Sequence, residues 1–180
     1  TLIERALEPE QRSQLAAHYT SEEDIKTLVE PVLMAPLRRE WAQIKSELAA
    51  VEMTRSTGKK SKTPDVVSYK ARLKTFQKKL AEVTVLDPAC GSGNFLYVAL
   101  QLLLGLEKEL VTFAEQLGFH FELEVGVQHL RAIEMNPYAF ELAQVSVQIG
   151  FLQWRRDNGF DNDRSPVLQN LDGFQNEDAL

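Results

Sequence analysis

The residues with the clearest chemical potential are two acids and a pair of glycines. Asp87 opens the run Asp87-Pro88-Ala89-Cys90-Gly91-Ser92-Gly93-Asn94, and Glu134 follows 47 residues after it. Glycine has no Cβ, so a Gly-x-Gly turn lets the backbone approach a ligand closely. A helix starting there adds free N–H groups and a partial positive charge, suited to a carboxylate or phosphate. Asp87 beside the turn can accept from an ammonium. A ligand with both an ammonium and a carboxylate is an amino acid, or something that carries one. An acid ending a second strand, where Glu134 falls, can accept from both hydroxyls of a ribose. The pattern alone leaves NAD and S-adenosylmethionine both open.

These residues need strands and helices to place them. Val83-Thr84-Val85-Leu86 is short, apolar and β-branched, and predicts a buried strand. The glycine turn follows, then a helix over about 95–117 that Gly118 ends. Arg131-Ala132-Ile133-Glu134 predicts a second strand. Asn136 as cap and Pro137 in the first turn open another helix. Along it Tyr138, Leu142, Val145, Ile149 and Leu152 recur at steps of 4, 3, 4 and 3. Strand–helix–strand–helix argues for an α/β fold with a parallel sheet. The 47-residue gap is more than twice that of a simple nucleotide-binding unit, so the crossover must be elaborated.

Upstream the texture is helical. Residues 1–20 predict a short helix or two broken at Pro9. Thr20-Ser21-Glu22-Glu23 reads as a capping box, with Thr20 as the cap. The helix after it runs through Ile25, Leu28 and Val29, with Pro31 and Pro36 interrupting. A second helix over about 37–53 carries Trp41, Ile44, Leu48 and Val51. Residues 54–64 predict a flexible basic loop, and a basic helix over about 65–81 follows. The chain therefore divides into a helical region 1–82, with a basic loop and helix over 54–81, and the first part of the α/β domain, 83–180.

Composition narrows the class. The 180 residues are 44% hydrophobic and 26% charged, an ordinary globular balance. Net charge is −6, which excludes a chain held on DNA by bulk charge. Yet residues 55–79 hold nine of the twenty Lys and Arg and one acid, Asp65. That stretch, Arg55 to Lys79, is more often a solvated face than a DNA contact, and a weak contact remains open. Cys90 stands alone, so no disulfide closes within the chain, which fits a reducing, cytoplasmic setting. The longest apolar run, Phe95 to Leu106, is too short for a bilayer, so no membrane role is expected. His18, His120 and His129 show no ligand spacing, and no metal site is expected. Trp41 and Trp154 are expected in the core. The chain opens at Thr1 without methionine, which suggests a piece of a longer polypeptide.

The motifs together resemble a family. Leu86 to Leu96 resembles the cofactor loop of bacterial DNA amino-methyltransferases. His18-Tyr19-Thr20-Ser21 resembles the motif ahead of that loop in the adenine-methylating class. Ala132 to Tyr138, with Gln153-Trp154, resembles the second cofactor motif of the large single-polypeptide restriction–modification enzymes. Asn176-Glu177-Asp178-Ala179-Leu180 resembles the third. The resemblance implies a Rossmann-like fold, here with part of its sheet, that binds S-adenosyl-L-methionine and acts on duplex DNA at adenine N6. It implies that Tyr19, Thr20, Asp87, Ala89, Gly91, Gly93 and Asn94 line the methionine end. It implies Glu134 on the ribose, Met135 on the adenine face, and Asp178 with Ala179 at the adenine edge.

One departure matters. The catalytic motif of that class is Asn or Asp, then Pro-Pro and an aromatic residue, where an extruded base is held. This sequence has no Pro-Pro. Asn136-Pro137-Tyr138 has one proline and opens a helix, so it belongs to the second cofactor motif. No catalytic residue is expected among these 180, and alone they are expected not to methylate DNA. A truncated sheet also predicts an open edge and self-association. Cytosine N4, RNA or protein as acceptor, or a non-catalytic nucleotide- or DNA-binding scaffold, stay as alternatives. Cys90 in the glycine turn is expected as a small packed residue rather than a nucleophile.

Overall fold

The computed structural model describes residues 20–56, 66–160 and 171–180. Tyr19, the expected helices before it and most of the basic loop lie outside these residues. The chain forms two compact units. The first takes Thr84–Gln101, Val127–Leu180 and the N-terminal residues up to Thr27, and the second takes Leu28–Val83 and Leu102–Gly126.

The N-terminal helical run shows two corrections. Helix α1 (Glu22–Val29) passes through a π-helical turn (Glu30–Met34) into helix α2 (Ala35–Ser56). Its cap is Ser21 rather than Thr20. Ser21 Oγ accepts from the Asp24 N–H at 3.1 Å and donates to Asp24 Oδ2 at 2.7 Å. The box sits one residue later than expected, because Asp24 serves where Glu23 was expected. The prolines do not break the run. Proline lacks an N–H and crowds the carbonyl four residues back. The widened turn absorbs Pro31, with Ala35 N–H reaching Glu30 O, and Pro36 falls in the first turn of α2. Residues 54–56, expected as loop, continue α2.

The second unit packs α2, helix α3 (Val66–Glu82) and the later turns of helix α4 (Asn94–Gln116). Trp41 stacks on Phe76 at 5.6 Å and meets Phe113 edge-on at 5.5 Å. Leu73, Leu80, Leu103, Leu104 and Leu110 are fully buried around them. Glu107 is buried there too, at 0% exposure. Its carboxylate accepts from Gln77 Nε2 at 2.9 Å, Glu124 N–H at 2.8 Å and Val125 N–H at 2.9 Å. Gln77 also donates to Glu122 O, and Lys74 Nζ reaches both Gln77 Oε1 and Glu124. The segment after α4 is thereby tied to α3 and α4 by hydrogen bonds.

The first unit holds the sheet. Strands β1 (Val85–Asp87), β2 (Leu130–Ile133) and β3 (Phe174–Gln175) run parallel in the order β1-β2-β3. Register pairs Asp87 with Ala132, and Ala132 with Phe174. The first strand begins two residues later than expected, and the third was not expected. Leu86 is 57% exposed, so β1 is not the fully buried strand its composition suggests. Among the described residues β1 pairs on one side only, which leaves a strand edge open.

Helix α5 (Pro137–Asp157) buries a face other than its large-residue stripe. Tyr138, Val145 and Ile149 are exposed, and Trp154 is half-buried, stacked on Phe160. The buried face is Ala139, Ala143, Val147, Gly150 and Phe151. The reason is close approach. A Cβ on Gly93 would meet Ala143 Cα at 3.1 Å, and one on Gly150 would meet the Tyr97 ring at 2.0 Å. Only small residues fit at Ala143 and Gly150, and these two contacts set which face of α5 turns inward.

No helix among the described residues is long and apolar enough to cross a membrane. The Glu107 knot yields a stability prediction. Glu107→Ala should destabilise the protein by about 3 kcal/mol, because it strands buried donors. Chemical denaturation should show the loss, and an unchanged midpoint would refute the knot as a structural tie.

Candidate cofactor site at the strand ends

The first unit gathers its polar side chains beyond the carboxyl ends of β1 and β2. The glycine turn is built from its own backbone. Ala89 N–H donates to Asp87 Oδ1 at 3.1 Å, which turns the chain as it leaves β1. Cys90 N–H donates to Ile133 O at 3.1 Å and continues the parallel pairing. Gly93 N–H closes on Cys90 O at 2.8 Å. Gly91 and Gly93 have φ of +54° and +78°, which a side chain would strain. They differ in what surrounds them. A Cβ on Gly93 would press on α5, whereas a Cβ on Gly91 would meet nothing within 4 Å. Gly93 is thus needed for packing, and Gly91 faces open space. At the start of α4, Asn94 Nδ2 donates to Thr20 O at 3.1 Å, which brings the residue-20 turn to the loop.

Glu134 joins the pieces. Its Oε2 accepts from Gly91 N–H at 2.8 Å, and its Oε1 accepts from Asn136 N–H at 2.8 Å. Its own N–H donates to Gln175 O at 3.1 Å, one step past the β2–β3 register. Asn136 caps α5, with Oδ1 accepting from Tyr138 and Ala139 N–H. One carboxylate therefore spans the glycine turn and the first turn of α5. A carboxylate offers about four acceptor positions. Two amides leave about two for a diol.

The electrostatics are unbalanced. Burial raises the Asp87 pKa above its ordinary 3.8, the Ala89 N–H opposes this, and the Glu134 charge raises it further. Burial first, and then the charges of the same two acids, push the Cys90 thiol up to about 12. Cys90 is protonated at neutral pH, which removes it as a nucleophile and fits its expected packing role. The Glu134 charge thus adds to the cost of ionising Asp87, and a cation beside Asp87 would relieve it.

Most expected residues come together here. Hydrogen bonds pair Thr20 with Asn94, Asp87 with Ala89 and Gly91 with Glu134 along and beside the turn, with Gly93 packed against α5. Met135, next to the acid, is 70% exposed. Asp178 and Ala179 follow β3 and are exposed, and Asp178 Oδ1 accepts from Leu180 N–H at 3.1 Å. Sequence reasoning did not single out Asn176, whose amide contacts the backbone at Glu134 and Met135. Its place two residues before Asp178 was the available signal. Among the described residues, no group of three His, Cys, Asp or Glu is arranged to hold a metal ion.

The basic stretch is partly spoken for within the second unit. Arg72 lies 3.8 Å from Glu40 and 3.7 Å from Glu47, and Lys79 lies 2.5 Å from Glu40. Lys74 pairs with Glu124. Acids of α2 thus pair with Arg72 and Lys79, and Glu124 with Lys74, while Lys70 and Lys78 are exposed.

Comparisons with known proteins place this arrangement. The chain is 22% identical over 151 residues to DNA methyltransferase A of Bacillus subtilis (strain 168), covering 83% of this chain and 15% of that protein. It is 25% identical over 146 residues to a putative type II restriction enzyme and methyltransferase of Methanocaldococcus jannaschii, covering 77% of this chain and 12% of the relative. A solved structure, the type IIL restriction–modification enzyme MmeI in complex with DNA, aligns with a TM-score of 0.64 at 26% identity. That alignment takes in 89% of this chain and 20% of the solved one. The chain thus spans a fifth or less of the length of these relatives. A family model described as the DNA-methyltransferase domain of MmeI matches residues 59–169, more than half of the sequence, and the chain belongs to that family.

Proposed function

We propose that this chain is the S-adenosyl-L-methionine-binding portion of a DNA methyltransferase of the restriction–modification type, on a Rossmann-like frame, acting at adenine N6 of duplex DNA. The observation that carries the reading is the Glu134 carboxylate spanning Gly91 N–H and Asn136 N–H. It sets an acceptor for a ribose diol beside a glycine turn whose Gly91 faces open space. The residues present fit the cofactor: an acid for its ammonium, an acid for its ribose and an exposed Met135 for its base. S-adenosylmethionine, when bound, supplies a methyl group on a sulfonium.

The residue roles are those the family resemblance implies, and the geometry of the turn and of Glu134 supports them. Asp87 accepts from the ammonium and, with Glu134, provides negative potential for the cationic ligand. The turn at Ala89, Gly91 and Gly93 lets the backbone lie against the methionine part. Asn94 holds Thr20 in place at that end. Glu134 holds the ribose, Met135 covers one face of the adenine, and Asp178 with Ala179 meets its edge. Asn136 is committed to capping α5, which supports assigning Asn136-Pro137-Tyr138 to cofactor binding rather than to catalysis. The chemistry on the target amine then falls to residues outside these 180. Duplex DNA as partner is supported by the MmeI complex with DNA. A single buried thiol is consistent with a cytoplasmic setting.

Calorimetry on the intact protein tests this directly. S-adenosylmethionine should bind, with NAD and ATP far weaker, and Glu134→Ala should weaken it about ten- to a hundredfold. Preference for NAD or ATP would overturn the reading.

Asp87 yields a second prediction with opposite signs for stability and binding. Its folded pKa lies above the unfolded value of 3.8. Its favourable contribution to folding is therefore complete below 3.8 and lost as pH rises through the raised value. At pH 7 the charge is carried at a cost. Asp87→Asn keeps the acceptor for Ala89 N–H and drops the charge. The variant should unfold at an equal or higher temperature at pH 7, while its affinity for S-adenosylmethionine falls about tenfold or more. A variant that melts lower and binds normally would contradict both roles.

A further inference from the structure

One side chain of the third motif has no role assigned in the cofactor reading. Asn176 Nδ2 donates to Glu134 O at 2.7 Å and to Met135 O at 3.3 Å. A primary amide carries two N–H groups on one nitrogen, so a single atom serves both carbonyls. Its location explains the need. The β2–β3 pairing ends where Glu134 N–H meets Gln175 O. Beyond that point no ladder continues, and Met135 is 70% exposed, so packing holds it weakly. Yet this dipeptide has to aim a carboxylate at two amides on different elements, Gly91 and Asn136. Asn176, the residue after β3, supplies from its side chain the bonds that the strand no longer supplies from its backbone.

We propose that Asn176 is a positioning residue for Glu134. Its amide fixes the Glu134 and Met135 carbonyls, so the acid keeps its span from the glycine turn to α5 while a ribose is bound. The inference rests on the cofactor reading of the site. Asn176 touches no reacting atom, and its effect on binding passes through Glu134. An aspartate of the same shape would point oxygens at two carbonyls and repel them, whereas a glutamine retains the donors on a longer arm.

A double-mutant cycle on the intact protein tests this, read as the Kd for S-adenosylmethionine by calorimetry, with thermal unfolding of each unliganded variant alongside. Asn176→Ala should raise the Kd about three- to tenfold. In the Glu134→Ala background the same change should add less than twofold, because its route of action is gone. Asn176→Gln should recover part of the loss. An unchanged Kd in Asn176→Ala, or an equal loss in both backgrounds, would overturn the positioning role. Where Asn176→Ala does not fold, Asn176→Asp takes its place in the cycle with the same criteria. The cofactor reading is scored separately. Wild-type protein that does not bind S-adenosylmethionine overturns that reading and this inference together, whereas binding that depends on Glu134 but not on Asn176 overturns this inference alone.

Discussion

The site depends on one carboxylate that accepts two backbone amides from two different elements. Glu134 sits where a parallel sheet runs out of ladder, and there amides of the glycine turn and of the α5 entry need acceptors. Hydrogen bonds to a charged acceptor contribute about 1.5–3 kcal/mol each, more than neutral ones. The pair of bonds fixes the glycine turn against the helix that follows β2. In open α/β sheets, ligands bind in the crevice outside the strand carboxyl ends. Glu134 shapes that crevice before any ligand arrives. Its cost is borne by Asp87, whose own charge is disfavoured by burial and by Glu134. Such a pair of acids is poor at holding an anion and well suited to a cation. Under the proposed function, the sulfonium and ammonium of one ligand answer both.

The second constraint is closeness. The glycine turn lies on α5 because Gly93 and Ala143 are small enough to meet, and α5 lies on α4 because Gly150 admits the Tyr97 ring. This geometry also shows why the hydrophobic period pointed to the wrong stripe. Two apolar stripes run along α5, one of large residues through Tyr138, Val145 and Ile149, and one of small residues through Ala139, Ala143 and Val147. Periodicity weighs both alike, and burial energy per residue favours the large ones. The short-range contacts at Ala143 and Gly150 require small residues, and they decide which stripe faces inward.

What was legible in the sequence was local chemistry. The strand, glycine turn and helix around residues 85–116 could be read because each junction has its own residue types. The Asn136-Pro137 entry to α5 could be read for the same reason. Caps and prolines were harder, since Ser21 and Thr20 compete with equal chemistry and a helix can absorb Pro31 by widening one turn. Glu107 and Gln77 were not legible at all. Each looks like an ordinary polar residue on a helix, and only the fold brings Glu107 to the amides of Glu124 and Val125. Most of the candidate site was named in advance, because its members sit in contiguous motifs. Asn176 was missed as a contact because its partners are carbonyls, which carry no sequence signature.

The long gap between Asp87 and Glu134 has the same kind of answer. Sequence separation suggested that the crossover had to be elaborated before the two acids could meet. The fold makes that separation irrelevant to their geometry. Both belong to the first unit, and the register that sets Asp87 against Ala132 determines where Glu134 falls. The chain leaves this unit after Thr27 and again after Gln101, and each time returns to it, at Thr84 and at Val127. Each excursion contributes to the second unit, which has its own aromatic cluster and its own polar knot. An elaboration that supplies its own core need not strain the strands on either side of it. The acids can then stay in register while the residues between them are free to lengthen, and this is how a compact candidate site tolerates so wide a spacing.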